Sequence, residues 1–223
     1  MKNCKLFVFA LTLPLIVSGL STLLLTQKAR GNSQKRCSTI RFKGSTSKLY
    51  IPDSSGRLKE YHVSNSRSIR GWNYKGGSTA SYIVFNGRES SVTIHKFNPN
   101  SGFGPKIANI HLSKSDSMLG WDWNERTGEA SYMFSNSSGT FVTIQPFDLR
   151  GFGQQKRTIQ ISRSALNKYK SSWTWNGNIA EYTLNNGGSV KTVVQDFNGY
   201  NFNGKYPQKS QNIGSNIAGR SCY

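Results

Sequence analysis

Acidic residues are scarce in this sequence, which has ten Asp and Glu against 29 Lys and Arg. Glycoside hydrolysis needs two carboxylates at a defined distance in the folded protein. No closely spaced pair among the ten acidic residues suggests such a site in the sequence. The H-E-x-x-H and G-x-S-x-G motifs are absent as well. The three histidines, His62, His95 and His111, are not combined with a cysteine in a catalytic arrangement. We therefore expect no catalytic residue and no enzyme, with a secreted hydrolase as the weaker alternative.

Dense runs of Lys and Arg are also missing, although the formal net charge is +19. Residues 1–31 contain four basic residues and no acid, so residues 32–223 keep a charge of +15. Such an excess attracts anionic partners, namely acidic polysaccharide, lipid headgroups or nucleic acid. Because the basic residues are scattered, they form no nucleic-acid-binding motif, and we expect no specific nucleic-acid partner.

One long apolar run is present, and it lies at the N-terminus. After Lys2 and Lys5, residues 6–25 read LFVFALTLPLIVSGLSTLLL without a charge. A basic start followed by an apolar segment is typical of a secretory signal, but about 20 apolar residues also suffice for a membrane anchor. We predict a signal peptide or signal anchor over residues 1–31, and membrane association through residues 6–25 stays open. The domain over residues 32–223 is expected to be secreted or extracytoplasmic.

Cysteine is rare, and only two of the three cysteines belong to the predicted domain. Cys4 lies in the leader, Cys37 stands near the start of the domain, and Cys222 is the penultimate residue. In an oxidising compartment two such cysteines are expected to form a disulfide, with free thiols or an intermolecular bridge as alternatives. The disulfide would bring the two ends of the domain together.

All five tryptophans fall in a recurring tetrapeptide, which reads GWNY at 71–74, GWDW at 120–123 and SWTW at 172–175. The first Trp of each copy lies 49 and then 52 residues after its predecessor. A Tyr and a Phe recur 15 residues apart in every copy, as Tyr82, Tyr132 and Tyr182 with Phe97, Phe147 and Phe197. These coincidences indicate a repeat, with units at 71–119, 120–171 and 172–222 and a partial unit at 38–70.

The repeat units predict an all-β fold. Short segments rich in Val, Ile, Thr, Tyr and Phe, such as SYIVF and FVTIQPF, alternate with turn signals such as NSSG, and helical periodicity is absent. Repeats of about 40–50 residues with four strands are typical of β-propeller blades. We predict a small propeller, with four blades of which one is divergent, closed by the Cys37–Cys222 disulfide. A β-trefoil is the alternative.

The strand pattern LYIPDSSGRLKEYHV, which leads into a Gly-Trp pair and an aromatic-rich strand, resembles the blades of tachylectin-type small β-propeller lectins. The resemblance covers most of the chain after the leader and implies sugar binding, with one shallow site per blade or between blades. The sequence lacks the repeated Arg–Glu pair of the fucose lectins, because Arg88 and Glu89 occur once only. Fucose specificity is therefore not implied.

The W-x-W pattern decides which residues are candidate ligand contacts. Both rings of such a pattern point to one face of a strand, because side chains alternate with a period of two. That face could fill the boundary between blades, or its rings could stack on a sugar while neighbouring polar groups supply hydrogen bonds. The candidate ligand-binding residues are Asn73, Tyr74, Trp121, Asp122, Trp123, Asn124, Trp173, Trp175 and Asn176.

A metal site is not expected. The segment DFNGYNFNG, which begins at Asp196, has the Asp, Asn and Gly content of a calcium loop, but Tyr200 occupies a ligand position and no Glu follows. We interpret the segment as a turn and expect no cofactor. The predicted partners are glycans, with anionic polysaccharide or a membrane surface as the alternative; the oligomeric state is not predicted.

Overall fold

The computed structural model describes residues 36–114, 117–154, 157–163, 172–176, 178–186, 189–203 and 216–223. These residues form seventeen strands and no helix. Accordingly, this part of the chain contains no helix that is long and apolar enough to span a membrane. The predicted leader lies outside the described residues.

The strands form four small antiparallel sheets, which are the four blades of a β-propeller. The predicted fold class is therefore confirmed, and a trefoil is excluded because its three units do not form four separate sheets. Blade 1 is built in the order β17, β1, β2, β3. Its strands are β17 (Ile217–Cys222), β1 (Cys37–Lys43), β2 (Thr46–Pro52) and β3 (Leu58–Ser64).

Blades 2, 3 and 4 follow in chain order, each beginning with its innermost strand. Blade 2 consists of β4 (Ile69–Asn73), β5 (Thr79–Phe85), β6 (Glu89–Asn98) and β7 (Gly102–Lys114). Blade 3 consists of β8 (Ser117–Asn124), β9 (Glu129–Asn136) and β10 (Gly139–Asp148), with both β11 (Gly151–Phe152) and β12 (Arg157–Ser162) paired to β10. Blade 4 consists of β13 (Trp173–Asn176), β14 (Ile179–Asn186), β15 (Ser189–Phe197) and β16 (Phe202–Asn203).

The ring is closed by combining the two ends of the domain in blade 1. The sequence unit at 172–222 includes β17, but β17 hydrogen-bonds to β1 and so belongs to the first blade. Cys37 faces Cys222 in this pairing, and the two form the predicted disulfide with their Cα atoms 4.0 Å apart. Arg36 and Tyr223 next to them exchange two backbone hydrogen bonds, of 3.2 and 2.9 Å. The disulfide therefore spans a non-hydrogen-bonded pair, where opposite Cα atoms approach most closely.

Three boundaries between blades are filled by apolar clusters. The cluster between blades 1 and 2 contains Ile40, Phe42, Leu49, Ile51, Ile69, Trp72, Tyr74, Ala80, Tyr82, Phe97 and Ala218. The cluster between blades 2 and 3 contains Ile83, Val92, Ile94, Met118, Trp121, Trp123, Ala130 and Phe147. The cluster between blades 3 and 4 contains Leu119, Met133, Val142, Ile144, Trp173, Ala180, Tyr182, Val193 and Phe197.

The first Trp of each tetrapeptide has the same role at each of these three boundaries. Its ring is buried, and its indole N–H reaches across to a serine hydroxyl on the preceding blade. The three hydrogen bonds are Trp72 to Ser38 at 2.7 Å, Trp121 to Ser81 at 2.8 Å and Trp173 to Ser131 at 2.8 Å. A buried indole thus fills the boundary with its ring and satisfies its one polar group.

The glycine before the Trp permits close approach of the innermost strands. A Cβ added at Gly71 would lie 2.5 Å from the backbone nitrogen of Trp121, and one at Gly120 would lie 2.5 Å from the Cβ of Trp173. Gly71 also has a φ of +73°, which side chains with a Cβ rarely adopt. The Gly-Trp pair is therefore required by the packing of neighbouring blades.

Candidate functional site

The innermost strands meet around a buried carboxylate, that of Asp122 in blade 3. Its Oδ1 accepts a hydrogen bond from Asn73, while its Oδ2 accepts from Lys75 Nζ at 2.8 Å and from the Thr174 hydroxyl at 3.1 Å. The backbone N–H of Trp175 donates to Oδ2 as well. Four donors thus hold the carboxylate, and it links blades 2 and 4 to blade 3. This arrangement is that of a structural clamp rather than an open ligand site.

Most of the candidate ligand-binding residues lie in the blade boundaries. Trp121 is 0% exposed and Trp173 is 1% exposed, and the rings of Tyr74 and Trp123 are also buried. A ring without an accessible face cannot stack on a sugar. Asn73 and Asp122 are likewise buried, and they hydrogen-bond to each other. These side chains consequently stabilise the packing of the propeller blades.

The second aromatic of each tetrapeptide packs against the repeated Phe of its own blade. Ring centroids lie 4.9 Å apart for Tyr74 and Phe97, and 5.2 Å apart for Trp123 and Phe147. In blade 4, Trp175 is half-buried, and its indole N–H donates to the backbone carbonyl of Phe197 at 3.3 Å. The adjacent Asn176 is exposed. Trp175 and Asn176 are therefore the candidates that stay accessible in blade 4.

The repeated His or Gln position is used inside each blade. Tyr82 lies 3.2 Å from His95 Nε2, and the Tyr132 hydroxyl donates to Gln145 Oε1 at 2.9 Å. The Tyr182 hydroxyl donates to the corresponding glutamine of blade 4 at 3.1 Å. This position satisfies the hydroxyl of a buried or half-buried tyrosine, which accounts for its presence in every unit.

A groove opens where the turns of blades 2 and 3 lie side by side, and we call it the turn-face groove. It consists of three adjoining depressions of about 190, 360 and 610 Å³. The first is lined by Asn73, Lys75, Gly77, Thr79, Trp123, Asn124, Glu125 and Arg126. The second shares Thr79, Trp123 and Glu125 and adds Ser78, Lys96, Ile107, Gly128, Phe147, Asp148 and Leu149. The third shares Gly128, Phe147 and Asp148 and adds Pro146, Arg150, Gly151, Phe152 and Gly153.

Three of the nine candidate residues, Asn73, Trp123 and Asn124, come together in this groove. Trp123 lines two of its depressions and is 6% exposed, and its indole nitrogen is buried without a hydrogen-bond partner within the described residues. A buried N–H without an acceptor costs free energy, because it has lost its water without replacement. The other rings of the tetrapeptides lack this combination of groove contact and unpaired donor among the described residues.

The groove mixes charged and apolar groups. Ile107 and Leu149 are exposed apolar side chains on its wall. Partial burial raises the pKa of the Glu125 carboxyl above its ordinary value, and the nearby ammonium group of Lys96 acts in the opposite direction. A groove of this size with apolar walls and a few directed polar groups is typical of small-ligand sites.

Several lining residues were not among the candidates from the sequence. Lys75, Thr79, Lys96, Ile107 and Leu149 lie outside the repeated tetrapeptide or on other strands. A partial signal existed for four of them, because Lys75, Thr79, Lys96 and Leu149 stand near strand ends, whereas Ile107 lies in the middle of β7. The sequence alone did not show that the turns of two blades adjoin there.

The predicted turn near Asp196 is present. The side chain of Asn198 accepts the backbone N–H groups of Tyr200 at 2.8 Å and Asn201 at 2.9 Å. In the corresponding turns of the other three blades, a side-chain oxygen likewise accepts a backbone N–H group. The accepting residues are Asp53, Asn98 and Asp148. Within the described ranges, no group of three or more His, Cys, Asp or Glu side chains could hold a metal ion.

Comparison with known proteins yields no family. No family model matches the chain, and no curated protein matches it. Among solved structures, TolB from Acinetobacter baumannii has a TM-score of 0.46 and 11% identity, over 84% of this chain and 53% of that chain. A nidogen/laminin complex has a TM-score of 0.39 and 8% identity, over 84% and 98% of the respective chains. Apo AztD from Citrobacter koseri has a TM-score of 0.38 and 11% identity, over 82% and 49%. The chain thus spans about half the length of TolB.

Proposed function

We propose that this propeller is an exported, non-catalytic carbohydrate-binding protein, and that the turn-face groove is its glycan site. The observation that carries the proposal is the lining of the groove, which combines the exposed apolar side chains Ile107 and Leu149 with the polar groups of Thr79, Asn124 and Glu125. Sugar hydroxyls both donate and accept hydrogen bonds, so they can bind such polar groups. Ile107 and Leu149 provide apolar surface beside them, and sugar rings have apolar faces.

The disulfide supports the exported location. Bonds of this kind form and persist in oxidising compartments and are rare in the cytosol, and Cys37–Cys222 joins the ends of the described domain. The proposal that residues 6–25 act as a cleaved signal or as an anchor rests on the sequence, because these residues lie outside the described part of the chain.

A glycan array probed with the full chain, at low and moderate salt, tests the proposal. Thr79→Val is the sharpest variant, because it removes a hydroxyl that lines two of the depressions and keeps the size of the side chain. We expect it to weaken glycan binding roughly three- to tenfold, the value of one hydrogen bond. Unchanged binding by this variant, with an intact fold, would contradict the assignment of the groove.

A matched pair of leucines provides the control. Leu149 is 51% exposed and lies in the groove, whereas Leu58 is 62% exposed and lies in blade 1. Leu149→Ser should reduce glycan binding, and Leu58→Ser should not. Equal losses in the two variants would mean that general surface hydrophobicity, and not the groove, supports binding.

A second candidate function is charge-driven binding of an anionic polysaccharide or membrane surface. At least five of the nine described acidic residues form ion pairs with Lys or Arg, so that basic side chains dominate the accessible charge. Exposed cations occur in several blades, including Arg41, Lys43, Arg88, Lys106 and Arg126. Binding of this kind should weaken steeply with salt, whereas contact with a neutral sugar should not.

A further inference from the structure

The boundary between blades 4 and 1, which we call the seam, differs from the other three boundaries. At the seam, Arg220 on β17 stands where β4, β8 and β13 have the first Trp, and Glu181 on β14 stands where the preceding blades have Ser. Arg220 Nη1 donates to Glu181 Oε1 at 2.5 Å. An ion pair therefore replaces the Trp-to-Ser hydrogen bond.

Blade 4 places a pair of threonines at the seam. Thr183 and Thr192, which face each other on β14 and β15, are at positions where the other blades have aliphatic pairs. Those pairs are Ile40 with Leu49, Ile83 with Val92, and Met133 with Val142. Thr192 is 3% exposed, and its hydroxyl has no hydrogen-bond partner among the described residues. Thr183 and Thr192 thus replace the aliphatic pair that fills the other boundaries at these two positions.

Blade 1 presents basic side chains to the seam. Arg41 on β1 faces Lys48 on β2, and Lys48 faces His62 on β3. In blade 3 the first two positions of the corresponding row are Phe134 and Phe141. Because adjacent strands lie about 4.8 Å apart, the three basic groups extend over roughly 10 Å across the sheet. Arg41 and His62 are exposed, and 25% of the Lys48 side chain is accessible.

The basic row lacks sufficient acidic compensation. Like charges on directly opposite residues destabilise a sheet, so Arg41 opposite Lys48 has a cost. Glu60 on β3 pairs with Lys48, but Lys43 at the end of β1 adds a further exposed cation. The face keeps a positive excess, which a ligand with repeated negative charges would neutralise.

We propose that the blade 1 face of the seam binds a linear acidic polysaccharide, whose sulfate or carboxylate groups contact Arg41, Lys48 and His62. A linear polymer fits this location better than a bilayer does, because the row crosses the side face of a blade and a flat membrane meets the turns at the ends of a ring. The inference rests on the second candidate function, anion binding, and is independent of the turn-face groove.

The test uses the full chain with dextran sulfate as probe and neutral dextran as the uncharged control. The double variant Arg41→Ser/Lys48→Ser should weaken dextran sulfate binding roughly ten- to thirtyfold, as expected for two cations at an anionic surface. The charge-matched control Arg88→Ser/Lys106→Ser removes two exposed cations from blade 2. Equal losses in both double variants would overturn the proposal, because the charge would then act without a defined site.

Acidic residues give a second test with the opposite sign. Glu60→Gln should strengthen dextran sulfate binding, because it removes the carboxylate beside Lys48, whereas Glu89→Gln on blade 2 should have a smaller effect. Leu149→Ser should leave dextran sulfate binding unchanged, which separates this inference from the groove. If the Arg41→Ser/Lys48→Ser variant loses binding to phosphatidylserine vesicles but keeps binding to dextran sulfate, the seam serves a membrane surface and the proposal is wrong.

Discussion

Arg220 and Glu181 form an ion pair at the one blade boundary where the sequence repeat loses its Trp. Their side chains are 16% and 9% exposed, so both charges are largely removed from water. The pair occupies the same two positions as Trp121 and Ser81 at the boundary between blades 2 and 3. The innermost strand therefore contacts the preceding blade through an ion pair at the seam and through a Trp–Ser hydrogen bond at the other three boundaries.

We predict that a Trp–Ser pair can replace the Arg220–Glu181 ion pair at the seam. Glu181→Ser and Arg220→Trp should each lower the free energy of unfolding by about 2–4 kcal/mol, because each leaves a largely buried charge without its partner. The double variant creates the Trp and Ser combination of the other boundaries and should be more stable than either single variant. Denaturant unfolding of all four proteins measures the coupling.

A null coupling would contradict this reading of the seam. If the losses of Glu181→Ser and Arg220→Trp simply add in the double variant, the two side chains do not act as a unit. Far-UV circular dichroism should confirm that each variant keeps its strands before the free energies are compared.

The serine partners of the tryptophans are expected to contribute equally at the other three boundaries. Ser38→Ala, Ser81→Ala and Ser131→Ala should each cost about 1–3 kcal/mol, because each leaves a buried indole N–H without an acceptor. Ser101 is exposed in the turn after β6, and Ser101→Ala should change the free energy of unfolding by less than about 0.5 kcal/mol. Thermal or denaturant unfolding of the four variants provides the comparison.

The fold was largely predictable because the repeat determines it. The spacing of Trp72, Trp121 and Trp173 predicted blades, and the positions of Cys37 and Cys222 predicted a closed ring, and both the propeller and the disulfide are confirmed. It was harder to predict from the sequence that β17 joins blade 1. Its segment IAGRSC keeps the glycine of the Gly-Trp pair but has Arg220 in place of Trp.

The candidate site was less predictable, for a physical reason. Strand alternation shows that Trp121 and Trp123 share a face, but whether another sheet covers that face depends on residues of a different blade. The structure shows that blade 2 covers both rings. The exposed groove residues Lys96 and Leu149 come from different blades, so a periodic pattern in one unit could not indicate that they adjoin.

The disulfide is expected to stabilise the ring substantially. The two cysteines are 185 residues apart, and their link restricts the unfolded chain over nearly the whole domain. The Cys37→Ser/Cys222→Ser variant should therefore lose about 2–5 kcal/mol of stability. Denaturant unfolding with and without a reducing agent measures the effect. The reducing agent should destabilise the parent protein and have no effect on the double variant, and a similar effect on both would point to another cause.

Glu125 in the turn-face groove should make stability depend on pH with a defined sign. Its pKa is raised in the folded protein, chiefly by burial, so the folded state binds this proton more tightly than the unfolded state does. The ionised carboxyl therefore opposes folding at a pH above its raised pKa, and this effect disappears as the pH falls below its ordinary pKa. Glu125→Gln should raise the melting temperature more near pH 7 than near pH 3, where the parent carboxyl is already protonated.

A carboxyl titration followed by NMR tests the cause of the Glu125 shift. The ammonium group of Lys96 lowers the pKa of Glu125, so Lys96→Met should raise that pKa further. A glycan bound in the groove would remove water from the same carboxyl and is expected to shift its pKa in the same direction, because desolvation disfavours the charged form. If a glycan binds tightly and the titration of Glu125 does not move, the ligand occupies another part of the protein, and the groove assignment is wrong while the carbohydrate-binding function stands.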